Sequence, residues 1–304
     1  MMPEKYSYSK IDTYKSCPFK YKLQYVDKNY VFVGSIATEF GTAIHETEEA
    51  VGKCFLENKP IDYVSIKNNL ILKFAKIEAK YYNDYHTKDT KSDRTYKEKA
   101  YEYLQTGIYR LENFLKQNPN YRIIALEKKF SFEFDTEHTF TGAIDRIFFD
   151  ESTGTYLLQD IKSWAVEADK NTITTPLQFV VYSLAIQQMY NCSENDIICQ
   201  YDLPLVGIVQ DAGTFGFMKR GLEKLNKLFE SIKSQDYTPN PSPLCHWCNF
   251  CSTNTNAPEY VKLLCPYHSN WTREHPTFQN EMEWEGLERH NLILEVYHKK
   301  YQIK

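Results

Sequence analysis

Three consecutive segments in the middle of the chain alternate apolar and polar residues with the two-residue period of β-strands. They are 121–135 (YRIIALEKKFSFEFD), 139–150 (TFTGAIDRIFFD) and 155–164 (TYLLQDIKSW). Turn-forming residues at 135–137 and 151–154 separate them, which predicts an antiparallel meander. Helical periodicity dominates before this region, and helical and strand patterns alternate after it. We therefore expect an α/β fold with a mixed central β-sheet flanked by helices.

The rest of the chain is expected to join this sheet in one domain. A length of 304 residues is sufficient for a single large core. The expected parts of this 1–304 domain are a helical N-terminal part (1–120), a core (121–235), and a cysteine-rich segment that staples the fold, with a helical tail (236–304). Other expected elements are one strand over 197–209, one long helix carrying Leu104, Ile108, Leu111 and Leu115, and a mobile connection over 83–95.

Composition narrows the cellular setting and the kind of partner. No apolar run approaches the roughly 20 residues of a membrane span, and the N-terminus MMPEKYSYSK has no secretory apolar segment. We expect a cytoplasmic protein without a membrane partner. The net charge of −4 means that a nucleic acid would have to bind a local basic surface.

Two carboxylates occur in similar settings on neighbouring predicted strands. Asp145 lies in GAIDRI and Asp160 in LLQDIK, so a hairpin can bring them together at one end of the sheet. Carboxylates so close repel each other unless a cation such as Mg²⁺ or Mn²⁺ lies between them. The Ile161 carbonyl can join such a site, and Lys162 can orient a water or offset charge at a phosphate. The alternative is a pair of exposed strand-end acids, one of them paired with Lys162.

Further motifs give these residues a family resemblance. FGTAIHETEE precedes the strands and QFVVYSLA follows them. Together with GAIDRI and LLQDIK, they resemble the PD-(D/E)XK nuclease superfamily, in particular its RecB-like branch, which includes AddB and the CRISPR-associated RecB-like exonucleases. The resemblance implies a restriction-endonuclease-like core. It implies metal ligation by His45, Asp145, Asp160 and the Ile161 carbonyl, and a catalytic group of Asp145, Asp160, Lys162, Glu127, Gln178 and Tyr182.

A cysteine cluster indicates a second metal centre. Cys245, Cys248 and Cys251 have C-x2-C spacing, which suits thiolates gripping one centre, and Cys265 follows. In the iron–sulfur members of the RecB-like branch, one upstream cysteine joins three C-terminal ones, and Cys17 in CPFKY matches the upstream position. The resemblance implies a [4Fe–4S] cluster on Cys17, Cys245, Cys248 and Cys265, with Cys251 as the alternative fourth ligand and zinc as the alternative occupant. The usual ending C-x2-C-x5-C is absent, because Asn254 occupies its last position.

The resemblance implies a metal-dependent DNA exonuclease acting on single strands or duplex ends. Its setting would be recombination, repair, or the processing of phage or mobile-element DNA, in the host cytoplasm if the chain comes from a phage. The sequence has no G-x-x-x-x-G-K-[ST] motif, so unwinding would fall to a separate helicase or recombination protein. The alternatives are an inactive nuclease relative that serves as a DNA-binding or assembly module, and a zinc-stabilised protein-interaction factor.

Overall fold

The structure is a computed structural model, and it describes residues 3–29, 34–250 and 264–265. Its chain divides into two compact units. One contains residues 1–8 and 36–225, and the other contains residues 9–35 and 226–304. The predicted helical tail and Cys251 lie outside the described residues. Among the helices that the structure describes, none is long and apolar enough to cross a membrane.

A mixed β-sheet forms the centre of the first unit. Its described strands are β1 (Glu4–Tyr6), β2 (Tyr121–Glu133), β3 (His138–Asp150), β4 (Thr155–Ile161), β5 (Ile197–Leu203) and β6 (Ile208–Ala212). The order is β1-β3-β4-β5-β6, and β2 also pairs with β3. β1 pairs with β3, and β4 with β5, in parallel, whereas the other pairs are antiparallel. The prediction of a mixed sheet flanked by helices is confirmed.

The predicted meander is the long antiparallel part of this sheet. β3 pairs with β2 from Tyr121–Asp150 to Glu133–Thr139, and with β4 from Asp150–Thr155 to Arg146–Gln159. Phe140, Ile144, Ile147, Phe148, Leu157 and Leu158 are all at most 1 % exposed. Ile147 and Phe148 point to opposite faces and both are buried, so both faces of β3 are covered, as expected for a central strand.

The described helices belong to both units, and those of the first unit cover the two faces of its sheet. Their bounds are α1 (Tyr8–Ser16), α2 (Pro18–Tyr21), α3 (Ile36–Leu56), α4 (Tyr63–Lys80), α5 (Tyr82–His86), α6 (Tyr96–Gln105), α7 (Arg110–Gln117), α8 (Lys170–Thr174), α9 (Leu177–Tyr190) and α10 (Phe217–Lys233). Residues of α3, α4, α6 and α7 pack in one core with Phe148 and Leu157. On the other face, Phe179 of α9 packs on Tyr201 of β5 at a ring distance of 5.0 Å. The meander thus lies between two helical layers.

Three predicted elements differ in the structure. The strand expected over 197–209 is two strands, because the chain turns at Gly207 with φ +86°. The single long helix is interrupted by a 3₁₀ turn at Gly107–Tyr109, where Tyr103 fills the space that a Cβ at Gly107 would need. The predicted connection over 83–95 contains most of α5, and Arg94 bonds the carbonyls of Ala165 and Leu205.

The second unit has its own small core. Phe19 and Leu23 pack there with Phe250 and Leu264, all at most 8 % exposed. Pro18 starts α2 directly after Cys17, and a π-helical turn follows over Lys22–Val26. Proline suits a first helical position because its missing N–H has no partner in the first turn. The helix break expected at Cys17-Pro18 is where α1 ends and α2 begins.

Candidate metal centre

Asp145 and Asp160 face each other where β3 and β4 separate. Arg146 and Gln159 form the last recorded pair of the two strands. Beyond it, the backbone N–H of Ile161 donates to Asp145 Oδ2 at 2.7 Å. The side chain of Asp145 is 13 % exposed and that of Asp160 is 2 % exposed. The hairpin therefore holds two acids side by side, one at the opening and one beneath it.

His45 reaches the same acids from α3. Its Nδ1 lies 3.7 Å from Asp145 Oδ2. The backbone of Ile161 also interacts with the ring and favours its protonated form, but burial outweighs this effect on the pKa of His45. Gly41, one helical turn earlier, permits this approach, because a Cβ there would lie 2.8 Å from Ser163 Oγ. The helix and the end of β4 are thus close enough for His45 to face the carboxylates.

Glu127 completes a set of three possible ligands. Its neighbours Leu126 and Lys128 pair with Arg146 and Ile144, which places Glu127 opposite Asp145. Its φ of +44° is in the left-handed region, which side chains other than glycine rarely adopt and which often marks functional sites. One ligand atom each from His45, Glu127 and Asp145 lie within 4.8 Å of one another.

Asp160 and Lys162 form the next part of the site. Lys162 Nζ lies 2.7 Å from Asp160 Oδ2, and Gln178 Nε2 donates to Asp160 Oδ1 at 2.7 Å. Among the described residues no hydrogen-bond donor is aligned with Oδ2, despite the nearby ammonium. Gln178 also donates to the hydroxyl of Tyr182 at 2.8 Å. One oxygen of this buried carboxylate thus accepts from Gln178, and the other faces the Lys162 ammonium.

The electrostatics of the site favour a cation. Burial, and then the charge of Asp160, raise the pKa of Asp145 to about 8. Burial, and then Glu49 and Asp160, raise the pKa of Glu127 above its usual range. Burial lowers the pKa of His45, which keeps its imidazole neutral and able to ligate. Clustered carboxylates, a neutral imidazole and a backbone carbonyl fit a hard divalent cation such as Mg²⁺ or Mn²⁺.

Comparison with known proteins identifies the family. The profile of the PD-(D/E)XK nuclease superfamily matches residues 5–253. The chain belongs to the PD-(D/E)XK nuclease superfamily. No curated protein matches the chain. The crystal structure of SSO0001 is similar over 59 % of this chain and 79 % of the SSO0001 chain, at 16 % sequence identity and a TM-score of 0.29.

Membership in the superfamily implies a phosphodiester hydrolase, and PD-(D/E)XK nucleases typically use Mg²⁺ or Mn²⁺. The structure of this PD-(D/E)XK chain brings together all the residues that the sequence indicated for the site. His45, Glu127 and Asp145 offer three possible ligand atoms close together, Asp160, Ile161 and Lys162 lie at the adjacent strand end, and Gln178 donates to both Asp160 and Tyr182. Their individual roles stay predictions.

An open cleft lies at the candidate site of this PD-(D/E)XK chain. Its volume is about 470 Å³, and its lining includes Gly41, His45, Glu49, Glu127 and Ser163. Sequence reasoning did not identify Glu49 and Ser163 as part of the site. Glu49 lies one helical turn after His45, so helical spacing gave a signal for it. Ser163 had none, because its relation to Gly41 depends on how α3 packs.

Four cysteines of this PD-(D/E)XK chain come together in the second unit. Cys17, Cys245, Cys248 and Cys265 line one pocket, beside Phe19 and Phe250. Backbone N–H groups donate to sulfur: Lys20 and Asn240 to Cys17 at 3.5 Å each, and Ser242 to Cys245 at 3.4 Å. Such hydrogen bonds stabilise metal-bound thiolates. Four thiols on one pocket, two of them with N–H donors, supply the ligand type that an iron–sulfur cluster or a zinc ion takes.

Proposed function

We propose that this protein is a metal-dependent DNA exonuclease of the RecB-like branch. One observation carries the proposal: His45, Glu127 and Asp145 offer ligand atoms within 4.8 Å of one another, and Asp145 is hydrogen-bonded to the strand end that carries Asp160 and Lys162. A nuclease needs a divalent cation next to a positioned ammonium, because the phosphodiester accumulates negative charge during attack. Membership in the PD-(D/E)XK superfamily supports the same conclusion.

The ligand assignment follows from the donor set. His45, Asp145, Asp160 and the Ile161 carbonyl would hold one or two cations, and Glu127 is close enough to contribute. A divalent cation, when bound, supplies Lewis acidity that polarises a phosphoryl oxygen and lowers the pKa of water. The neutral imidazole of His45 keeps its lone pair for this purpose. Because the acids repel one another in the absence of a cation, the site favours binding one.

Lys162 has a separate role in the proposed reaction. Its ammonium lies 2.7 Å from Asp160 and is 26 % exposed, so it is held in place and still reachable. It donates to the attacking water and orients it toward phosphorus, and it offsets charge on the phosphate oxygens. Gln178 fixes Asp160 through Oδ1 and is itself tied to Tyr182. The pair therefore sets the direction in which Asp160 presents its other oxygen.

End-labelled DNA gives the direct test of the exonuclease. Single strands and duplexes labelled at the 5′ or the 3′ end are digested with Mg²⁺ or Mn²⁺, and with EDTA. We expect mononucleotides or short products from one end, loss of digestion in EDTA, and loss in Asp160→Ala and Lys162→Ala. Lys129→Ala removes an exposed lysine of β2 and is the control that keeps activity. DNA binding without cleavage in either metal would instead establish an inactive DNA-binding module.

The cysteine pocket is proposed to hold a [4Fe–4S] cluster. Cys17, Cys245, Cys248 and Cys265 are the proposed ligands, since all four line the pocket. Cys265 is proposed as the fourth ligand because it lines this pocket, and Cys251, which lies outside the described residues, stays the alternative. The N–H donors to Cys17 and Cys245 support bound thiolates. The cluster would tie the segment around Cys17 to the segment after residue 240.

Anaerobic purification tests the cluster and its ligands. We expect visible thiolate-to-iron absorption and about four iron and four sulfide per chain, as a [4Fe–4S] cluster requires. Cys17→Ser and Cys265→Ser should lose this absorption, whereas Cys54→Ser, outside the pocket, should keep it. A colourless preparation with one zinc per chain would establish the zinc site instead. Loss of the cluster in Cys251→Ser but not in Cys265→Ser would show that Cys251 is the fourth ligand.

The proposed partners follow from the proposed reaction. DNA would be the substrate as a single strand or as a duplex end. A separate helicase or recombination protein would supply unwinding, since the sequence contains no P-loop motif. The proposed setting is the cytoplasm, in recombination, repair, or the processing of phage or mobile-element DNA. Co-purification with a nucleotide-driven motor that increases duplex digestion would support this setting, and unchanged digestion would count against it.

A further inference from the structure

A buried ionic network lies beneath the candidate metal centre. Arg146, 1 % exposed, donates to Glu48 Oε2 at 2.8 Å, to Gln159 Oε1 at 3.1 Å and to Asp202 Oδ2 at 3.3 Å. Glu48, Gln159 and Asp202 are at most 3 % exposed. A buried guanidinium with two carboxylates is costly to desolvate, and comparable buried pairs can often be replaced by apolar residues without loss of stability. Stability alone therefore gives a weak reason for placing a network here.

Each member of the network is attached to a residue of the candidate site. Arg146 follows Asp145 on β3, and Gln159 precedes Asp160 on β4. Side chains alternate along strands, so Arg146 and Gln159 point away from the cleft while Asp145 and Asp160 point into it. Each of these network residues is nevertheless bonded through the backbone to the acid beside it in sequence. Fixing Arg146 against Gln159 fixes the strand ends that carry the two acids.

The other two members reach the remaining site residues. Glu48 lies three residues after His45 on α3, so both are on one side of the helix. The backbone carbonyl of Asp202 accepts the N–H of Lys162 at 2.8 Å. Arg146 therefore links the helix that carries His45, the strand that carries Asp145, and the strand that holds Lys162. These three attachments come from parts of the chain 98 and 56 residues apart.

Both acids of the network have their second oxygen occupied as well. Tyr103 OH donates to Glu48 Oε1 at 2.7 Å, and Arg110 donates to Asp202 Oδ1 at 2.8 Å. Neither carboxylate can therefore turn toward another partner without losing a hydrogen bond in the interior. Arg146 therefore lies between two carboxylates that Tyr103 and Arg110 hold in fixed orientations. This makes it a rigid link rather than a mobile counter-ion.

We propose that the Glu48–Arg146 ion pair is a positioning device that sets the distance between His45 and Asp145, and thereby the affinity of the site for its cation. The proposal rests on the proposed function of that site. Both residues are at most 2 % exposed and neither lines the cleft beside His45 and Glu127, so neither side chain is open to a substrate there. The device acts through the backbone of α3 and β3. Partners that orient metal ligands typically change metal affinity by 10-fold to 100-fold when they are removed.

Three substitutions separate positioning from structural support. Glu48→Gln keeps the shape of the side chain and removes its charge. Arg146→Lys keeps the charge, but an ammonium cannot present the planar fork that reaches Glu48 and Gln159 together. Lys99→Met is the matched control, because Lys99 is also 2 % exposed and paired, with Asp89 at 2.9 Å, but belongs to no part of the site. It measures what a lost buried ion pair does by itself.

The full chain is tested for Mn²⁺ binding by calorimetry, for thermal unfolding, and for DNA digestion across Mn²⁺ concentrations. We expect Glu48→Gln and Arg146→Lys to weaken the Mn²⁺ Kd at least 10-fold. Their kcat at saturating Mn²⁺ should stay within about threefold of the parent, since no reacting group is lost. Lys99→Met should unfold at a lower temperature with an unchanged Mn²⁺ Kd. Tyr103→Phe, which leaves the ion pair intact, should weaken Mn²⁺ binding by a smaller factor.

The outcomes distinguish this inference from the nuclease proposal. Equal Mn²⁺ Kd values in the parent and in every folded network variant would overturn positioning, even if the parent digests DNA. If Glu48→Gln does not fold, Arg146→Lys and Tyr103→Phe decide in the same way. A parent that binds Mn²⁺ without digesting DNA, with weakened binding in the network variants, would overturn the nuclease and leave positioning supported. A parent that binds no Mn²⁺ would overturn both.

Discussion

Asp145→Asn should make the cation-free protein more stable while removing its activity. Asp145 is held among acids, and burial followed by the charge of Asp160 raises its pKa to about 8. An asparagine of the same shape carries no charge, and its side-chain oxygen can still accept the N–H of Ile161. The neighbouring His45 has a lowered pKa, so at neutral pH no ion pair with Asp145 is lost. The substitution therefore removes repulsion and preserves the local hydrogen bond.

The magnitude follows from proton linkage. Below the ordinary pKa of 3.8, Asp145 is neutral in both the folded and the unfolded chain, so it has no effect on stability. As the pH rises from there toward about 8, the unfolded chain has lost this proton and the folded chain still holds it, so the free energy of unfolding falls. Each pH unit is worth 1.36 kcal/mol, which gives a ceiling of about 4 kcal/mol at pH 7. Because neighbouring acids share the proton, we expect about half of this value.

Thermal unfolding in EDTA at several pH values measures the effect. About 2 kcal/mol corresponds to a Tm higher by roughly 4–8 °C for Asp145→Asn at pH 7. The difference from the parent should grow from pH 5 to pH 8 and then level off. Adding Mn²⁺ should raise the Tm of the parent and leave the variant almost unchanged, because binding stabilises only the protein that binds.

Asp150→Asn is the matched control on the same strand. Hydrogen bonds from Ser152 hold the pKa of Asp150 below its usual range, so the same substitution there should lower the Tm at pH 7. The reasoning about Asp145 is refuted if parent and Asp145→Asn unfold at equal temperatures in EDTA from pH 5 to pH 8.5. A lower Tm for Asp145→Asn would refute it as well. Either result would mean that repulsion among the acids is not a cost in the folded protein.

Three further predictions concern the same site. Mn²⁺ binding by the parent should tighten by up to about tenfold per pH unit until pH 8, because Asp145 must lose its proton before it can bind the cation. Calorimetry from pH 6 to pH 9 measures this Kd, and a pH-independent Kd would contradict the prediction. Gly41→Ala should lower the rate of DNA digestion at least tenfold, because the added Cβ meets Ser163 Oγ. Adding Ser163→Ala should restore most of this rate, and no recovery in the double variant would show that another contact is responsible. Gln178→Leu should weaken Mn²⁺ binding 10-fold to 100-fold, because the hydrogen bond to Asp160 is lost. Tyr182→Phe leaves that bond in place and should change the Mn²⁺ Kd less than threefold. Equal effects of the two substitutions would contradict a role of Gln178 in orienting Asp160.

The central strands could be predicted from sequence because their signal is local. Alternating apolar residues and turn residues between them specify β2, β3 and β4 without knowledge of the remaining chain. β1 spans only Glu4–Tyr6 and pairs with residues 138–140. Three residues are too few to show a period, so only the long-range pairing defines this strand. The division of 197–209 depended on one turn at Gly207, which a periodic pattern does not reveal.

The candidate site was predictable to the extent that its residues lie in short motifs. H-x-x-E, G-x-x-D, D-x-K and Q-x-x-x-Y name the acids, the lysine and their supports. The left-handed backbone at Glu127 was not predictable, because it arises from pairing across two strands. The three-way contact of Arg146 was not predictable either. Its partners Glu48 and Asp202 lie far away in sequence, and only the packed helices and strands bring them to one point.

The parallel pairing of β4 with β5 has a consequence for when the proposed enzyme becomes active. The end of β4 is held by β5, with the N–H of Lys162 bonded to the carbonyl of Asp202. Forty residues separate these two partners along the chain, and α9 lies between them. During synthesis, Asp160 and Lys162 leave the ribosome well before the strand that fixes them. An unfinished chain therefore has the residues of the candidate site without their arrangement, and the proposed nuclease activity can appear only once the core is complete.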